Sequence, residues 1–297
     1  MTNLTRHLFR LRLEELLALV FFVPMSILTL AYAGEEGFTP GNIERYFAVL
    51  VLVLLFVVVV RRNRYLQILR DLLPIACCVV IYLNLHDLIH FVNTRDKDDV
   101  LLKIDAWLFG VQPSLWLEHF VHPWIIDYTT ICYSLFYFYG PLVMLALYFR
   151  HEYHTFRQFV VSGLLCFYVG YFVYILVPAI GPRYSLSAQY AKELIGSHYS
   201  YQLRHSIDVL QTTKRDCFPS LHNGFTLLTM LFAYKHLRGL FYFLLPFAFG
   251  LFLATIYLRY HYVIDQLAGF SLAIVCFWLG PRISDFWDRQ MADVGQQ

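Results

Sequence analysis

The chain is 297 residues long, 59% of them hydrophobic and only 15% charged, with 23 Lys and Arg against 21 Asp and Glu for a formal charge of +2. That apolar excess excludes a soluble domain of this length and points to a polytopic membrane protein that sits in the bilayer. The near balance of charge leaves no basic face for a polyanion, so no nucleic-acid partner is expected.

At about 20 apolar residues per crossing, eight spans are expected: Glu15–Ala33, Tyr46–Val60, Leu72–Val92, Trp124–Phe149, Phe159–Val177, Leu221–Tyr234, Leu240–Leu258 and Tyr262–Gly280. The fold class is therefore read as all-α, a polytopic membrane helix bundle of about eight transmembrane helices. Arg6, Arg10 and Arg12 precede the first run as in a signal peptide. The run continues without a small-residue cleavage site, so a retained helix is expected. The second and sixth spans are short and would borrow flanking residues whose side chains reach the interface.

Short basic connections set the orientation. Arg61-Arg62-Asn63-Arg64 with Arg70, then Arg150 with Arg157, then Lys235 with Arg238 all fall on the side of the amino terminus, which the positive-inside rule makes cytoplasmic. Both termini are then cytoplasmic, and the loops opening at Pro178 and Arg259 face the periplasm, outside or lumen. On that face, Trp107, Trp116 and Trp124 between Leu101 and Pro123 suggest an amphipathic helix lying on the surface. The loop from Pro178 to Asp216 is long and mostly polar, which predicts that it packs over something such as a headgroup.

Within the spans, Asn84, His86, Asp87 and His90 form a polar patch in the third, read as cavity or headgroup contacts. Asp127, Tyr133, Tyr137 and Tyr139 in the fourth are read as helix-packing hydrogen bonds. Five of the six cysteines lie in apolar runs and only Cys217 sits near a loop, so neither a disulfide framework nor a metal-ligand spacing emerges.

The chemistry-bearing stretch is Cys217-Phe218-Pro219-Ser220-Leu221-His222, at the mouth of an apolar span. Two spans out and back would return His261 to the same face, with Asp265 four residues later. That spacing puts both side chains on one helical face, where the carboxylate can accept from Nδ1 and leave Nε2 as a free base. His222 near a helix start sits where backbone N–H groups favour an anion. A nucleophile facing a proton donor across an anion site suits phosphoryl transfer through a phosphohistidine. Cations are needed as well, and Arg183, Lys214, Arg215 and Arg259 lie on the same expected face. No metal and no cofactor is called for, because histidines and cations cover nucleophile, acid and charge stabilisation.

These residues resemble the type-2 phosphatidic acid phosphatase superfamily, whose motifs run K-x6-R-P, P-S-G-H and S-R-x5-H-x3-D. Pro219-Ser220-Leu221-His222 resembles the second, with Leu221 for Gly, and His261 to Asp265 resembles the end of the third. Phe218, Leu221, Tyr257-Leu258-Arg259-Tyr260-His261-Tyr262-Val263-Ile264-Asp265, the stretch from Asp105 to Pro113 and Gly181-Pro182-Arg183 are most similar to the inositol phosphorylceramide synthase-like branch. The resemblance covers roughly Leu72 to Gly280 and implies a six-helix catalytic core. It divides the chain into 1–71, two added helices with a basic cytoplasmic loop; 72–280, the phosphatase/phosphotransferase core; and 281–297, a short cytoplasmic tail.

By resemblance, His261 would be the nucleophile, Asp265 its orienting partner, and His222 the acid for the leaving alkoxide and later the base for the acceptor. Ser220 would hold a phosphate oxygen and Arg183 would take the first motif's cationic role. Leu176 stands where the family's Lys would be and Thr255 where its Arg would be; Lys214 or Arg215 could replace the Lys, and Arg259 the Arg if the helix ends there. The implied activity is phosphotransfer from a lipid phosphate or phospholipid donor to a lipid hydroxyl acceptor. Hydrolysis of phosphatidate or polyprenyl phosphates by the same residues is the alternative. A non-catalytic lipid transporter or scaffold would line a path through the midplane, whereas these polar residues gather near one face.

Overall fold

A computed structural model of the chain describes residues 11–31, 67–210 and 213–295. The helices, in chain order, are α1 (Leu13–Ala31), α2 (Gln67–Val92), α3 (Asp98–Phe109), α4 (Pro113–Trp116) with a 3-10 turn at Leu117–Phe120, α5 (Pro123–Ser134), α6 (Phe136–Phe149) and α7 (Tyr153–Leu176). They continue with α8 (Pro182–Ser185), a 3-10 turn at Ser187–Gln189, α9 (His198–Leu210), α10 (Leu221–His236), α11 (Arg238–Tyr257) and α12 (Val263–Gly295). No strand occurs among the described residues, as a chain that must satisfy its backbone within each segment requires in lipid.

Among the described residues, α7, α11 and α12 are long and apolar enough to cross a membrane, and α5 with α6 makes a fourth if taken together. The expected second span, Tyr46–Val60, and the basic run at Arg61 lie outside the described residues. The expected fourth span is not one straight helix, because α5 and α6 meet at Leu135 with a 44° bend. There the Phe138 N–H turns back to the Leu135 carbonyl at 2.9 Å in 3-10 fashion. A little further on, Pro141 has no N–H for the carbonyl of Tyr137. The last helix also differs from expectation, running through Pro281 to Gly295 where a tail was read.

Helix α10 sits at the centre, packed by α12, α11, α7 and α6. Its Leu228 and Phe232 join Ile81, Leu85 and Leu88 of α2, Val143 and Leu147 of α6, Phe159 and Leu164 of α7 and Ala273 of α12 in the largest buried cluster. The outer faces stay apolar, with Phe149, Phe172, Phe243, Phe249, Ile274 and Trp278 exposed, a surface suited to acyl chains rather than water. Among the described residues, ion pairs gather at the ends. At one end Arg70 binds Glu15 at 2.5 and 2.9 Å, Arg12 pairs with Asp71, and Arg157 meets Glu14 and Asp288. The opposite end of α7, roughly 36 Å away at 1.5 Å per residue, carries the loops that build the site.

Candidate active site

Three loops converge at that end: residues 177–181 after α7, residues 213–220 before α10, and residues 258–262 between α11 and α12. Helix α11 closes in a Schellman arrangement. Arg259 N–H reaches the Ile256 carbonyl at 3.0 Å and Tyr260 N–H the Thr255 carbonyl at 2.9 Å, with Arg259 in the left-handed region at φ 68, a position usually given to Gly. The Thr255 carbonyl also accepts from the His261 N–H at 2.9 Å. The chain therefore turns sharply off the helix and aims His261 inward.

His261 precedes α12 rather than lying in it, so His261 and Asp265 do not share a helical face as their spacing suggests. Asp265 instead folds back like the acidic member of a capping box: its Oδ2 accepts from Tyr262 N–H at 2.8 Å and from Cys217 Sγ at 2.9 Å. His261 Nδ1 lies 2.9 Å from the Cys217 carbonyl and 3.5 Å from Asp265 Oδ2. A carbonyl only accepts, so Nδ1 carries the proton and Nε2 presents its lone pair. That lone pair faces His222 Nδ1 at 3.4 Å.

His222 stands in the first turn of α10. Its Nε2 lies 3.1 Å from Tyr133 Oη, and the Tyr133 ring stacks on both His222 and Tyr260 at centroid distances of 5.0 and 4.6 Å. Tyr133, read from sequence as a helix-packing residue, thus touches the site, because the bend at Leu135 tilts α5 over the histidines. Ser220 is the N-cap, its fully buried Oγ accepting from the Asn223 N–H. Leu221 fits where the family has Gly because α7 offers Gly170 opposite, where a Cβ would come within 2.5 Å of the Leu221 side chain.

A cleft of about 20 Å³ lies over the histidines, lined by His222, His261, Cys217, Asp216, Tyr133, Ile180, Tyr184, Tyr260 and Arg183. Arg183 is aimed there by Gly181, which adopts φ 84 and whose Cβ, if present, would meet the Tyr260 carbonyl at 2.6 Å. Its guanidinium holds Asp208 of α9 through two bonds of 2.5 and 2.6 Å, and that carboxylate holds Arg183 protonated, above its ordinary value. Lys214 reaches the rim, its Nζ 5.3 Å from the Tyr184 ring. The other two cations are drawn off: Arg215 to Asp96 and the carbonyls of Asn93 and Thr94, Arg259 to Glu118, the Lys192 carbonyl and the face of Tyr190. Helix α11 does end before Arg259, but that side chain lines a separate polar basin of about 940 Å³. The basin meets the cleft at Arg183 and Tyr260. Burial pushes the Tyr260 phenol up to about 12, so it is neutral beside Arg183.

Two residues outside the three motifs hold these loops. Asp98 of α3 accepts from Ile180 N–H, Gly181 N–H and Tyr262 Oη at 3.0, 2.8 and 2.8 Å. Asp105, also in α3, accepts from Val263 and Ile264 N–H, each at 2.9 Å, and so caps α12 from a distance. The surface helix expected between Leu101 and Pro123 is therefore the clamp that fixes the loops carrying Arg183 and His261. A signal was present in Asp105, which opens one stretch of the family resemblance, but its role depends on contacts across the whole chain.

Cys217, His261 and Asp265 also form a metal-ligand set with donor atoms within 4.8 Å of one another. Those atoms already bond one another and the Cys217 carbonyl, and burial pushes the Cys217 thiol well up, reinforced by Asp265. A metal would have to displace those bonds and take a thiol proton. On the other side of His222 lies an apolar chamber of about 420 Å³ between α2, α5, α6, α7 and α10. Tyr133, Asp216 and His222 line both chamber and cleft.

Apolar crossing helices with paired imidazoles at one end of the bundle define a helical membrane protein with a candidate catalytic site. The chain belongs to the PAP2 superfamily, whose family model matches residues 99–279. It is 28% identical over 127 residues to a PA-phosphatase related-family protein of Dictyostelium discoideum, a stretch covering 42% of this chain and 23% of that protein. The chain thus matches less than a quarter of that relative's length. No solved structure matches it.

Proposed function

We propose that the protein is an integral membrane lipid phosphotransferase working through a phosphohistidine, similar to inositol phosphorylceramide synthases. The observation that carries this reading is His261 Nε2 facing His222 Nδ1 at 3.4 Å while His261 Nδ1 is committed to the Cys217 carbonyl. Superfamily membership supports a lipid phosphate as the donor.

In this reading His261 Nε2 attacks phosphorus, the ester P–O bond breaks, and His222 protonates the leaving oxygen. The acceptor oxygen then attacks, the P–N bond breaks, and the acceptor proton passes to His222. Asp265, fixed by Tyr262 N–H and Cys217, orients His261 and offsets its developing positive charge. Arg183 takes the phosphate oxygens with Lys214 at the rim, and Ser220 contributes by capping the helix whose first turn carries His222. Water in place of a lipid alcohol gives the hydrolase reading, which the relative's printed name favours.

The reading also places about eight spans, both termini in the cytoplasm and the site on the extracytoplasmic face. In support, the Arg12, Arg70 and Arg157 ion cluster lies at the end of the bundle away from the histidines, as the positive-inside rule expects. The core would be 72–280, flanked by 1–71 and 281–297.

The test supplies purified protein with a lipid donor labelled in its phosphate, with and without ceramide or diacylglycerol. Label in a new lipid supports transfer, and label in free phosphate supports hydrolysis. An acid-labile labelled protein is expected in both cases, and full turnover by His261→Ala refutes the phosphohistidine.

A further inference from the structure

Asn223 of α10 and Thr255 of α11 are both wholly buried, and they meet between the two helices. Asn223 Nδ2 donates to Thr255 Oγ1 at 3.0 Å, and that hydroxyl donates in turn to the Phe252 carbonyl at 3.0 Å. A buried amide is costly unless it is paired, and a bond of this kind ordinarily serves to hold helices together. Its place in the fold gives it a second consequence. Asn223 adjoins His222, while the Thr255 carbonyl accepts from the N–H groups of Tyr260 and His261, each at 2.9 Å. Thr255 thus holds the His261 backbone through its carbonyl and the turn that carries His222 through its hydroxyl. The start of α10 is tied to α12 by other means. Ser220 N–H donates to the Asp265 carbonyl at 3.0 Å, and Gly224 lies so close to Gly269 that a Cβ would come within 2.8 Å of its carbonyl. The amide and hydroxyl pair supplies the tie to α11. Thr255 also stands six residues before His261, where the third motif would have Arg, yet it does not line the cleft over the histidines.

We infer that Asn223 and Thr255 are positioning residues, a strut that sets the separation of His222 and His261, and that position 255 serves spacing here rather than phosphate binding. This rests on the phosphohistidine reading, in which both imidazoles act on one phosphate. Neither strut residue touches the reacting atoms. A misplacement of about 1 Å between groups that act together costs on the order of 100-fold in rate, whereas the hold on the phosphate, assigned to Arg183, is left in place. Loss of the strut therefore acts on kcat and spares KM.

The experiment uses the full chain in nanodiscs with phosphatidate and phosphatidylinositol, each labelled in its phosphate, and measures kcat, KM and acid-labile labelled protein. Thr255→Val keeps the shape and removes the hydroxyl; Asn223→Leu removes the amide at similar size. Each is expected to lower kcat at least about tenfold with KM unchanged within about twofold. Thr255→Ser, which keeps the hydroxyl, is expected to recover most of the rate, and the double variant should fall no further than the worse single one, because the two residues act as one link. Thr229→Val is the control for packing: it removes another wholly buried hydroxyl of α10, one bonded within its own helix to the Phe225 carbonyl, and is expected to leave kcat within about twofold. An unchanged kcat in Thr255→Val and Asn223→Leu, a rise in KM in place of the fall in kcat, no recovery in Thr255→Ser, or an equal fall in Thr229→Val overturns the inference while leaving the phosphohistidine reading standing. A wild type that forms no labelled protein refutes that reading itself, so the two failures are separable.

Discussion

Asp208→Asn tests whether Arg183 is the phosphate cation, because the structure gives that arginine a partner it must share on binding substrate. The pair is bidentate at 2.5 and 2.6 Å, yet its side chains are 37% and 28% exposed. Solvent screening therefore limits it to about 1 kcal/mol, the upper end for exposed ion pairs. Releasing that competition is worth about fivefold, since 1.4 kcal/mol is tenfold. The KM for a short-chain lipid phosphate, followed by phosphate release, is expected to fall about fivefold in Asp208→Asn. Arg183→Ala, which removes charge-assisted bonds of about 1.5–3 kcal/mol, is expected to lower kcat/KM by about 10- to 100-fold. The double variant should behave as Arg183→Ala alone, because Asp208 acts through Arg183. If Asp208→Asn left KM unchanged, or if the two effects were additive, Arg183 would not be the group that receives the phosphate.

Asp105→Ala leaves two backbone N–H groups at the start of α12 without their acceptor; at about 1–3 kcal/mol each, a loss of about 2–6 kcal/mol is expected in detergent unfolding, with Asp105→Asn recovering part. Gly181→Ala places a Cβ 2.6 Å from the Tyr260 carbonyl at a positive φ, so a cost of at least about 1–2 kcal/mol and loss of activity are expected, read by melting and turnover together. Burial and the Asp265 carboxylate hold the Cys217 thiol protonated well above its ordinary range. The folded protein should therefore resist alkylation at Cys217 at pH 8, with labelling appearing only on denaturation, as peptide mass mapping would show.

The helical class and the pairing of His222 with His261 were legible without coordinates. The first follows from composition and run length, which fix how a chain meets lipid. The second follows because two apolar runs between the histidines return the chain to the same face. Asp265 was legible as a partner of His261 but not in its geometry: the spacing suggested one helical face, while the structure starts α12 after His261 and turns Asp265 into a cap. The resemblance singled out Arg183 and left Lys214, Arg215 and Arg259 as replacements for missing motif residues, because a basic residue in a loop carries no mark of what it will pair with. Tertiary contacts separated them, leaving Arg183 in the cleft and Lys214 at its rim, and sending Arg215 to Asp96 and Arg259 to Glu118.

The same limit explains Tyr133, Asp98, Asp105 and Asp208, each of which acts on a residue far along the chain. Local pattern reports burial, periodicity and turn chemistry, all of which are properties of neighbouring residues. By itself the sequence determined a membrane helix bundle with two histidines returned to one end. Only the packing of α3 and α9 over that end decided which charges face the histidines and which are consumed in holding the loops, because long-range pairing depends on where helices cross and not on what adjoins them in sequence.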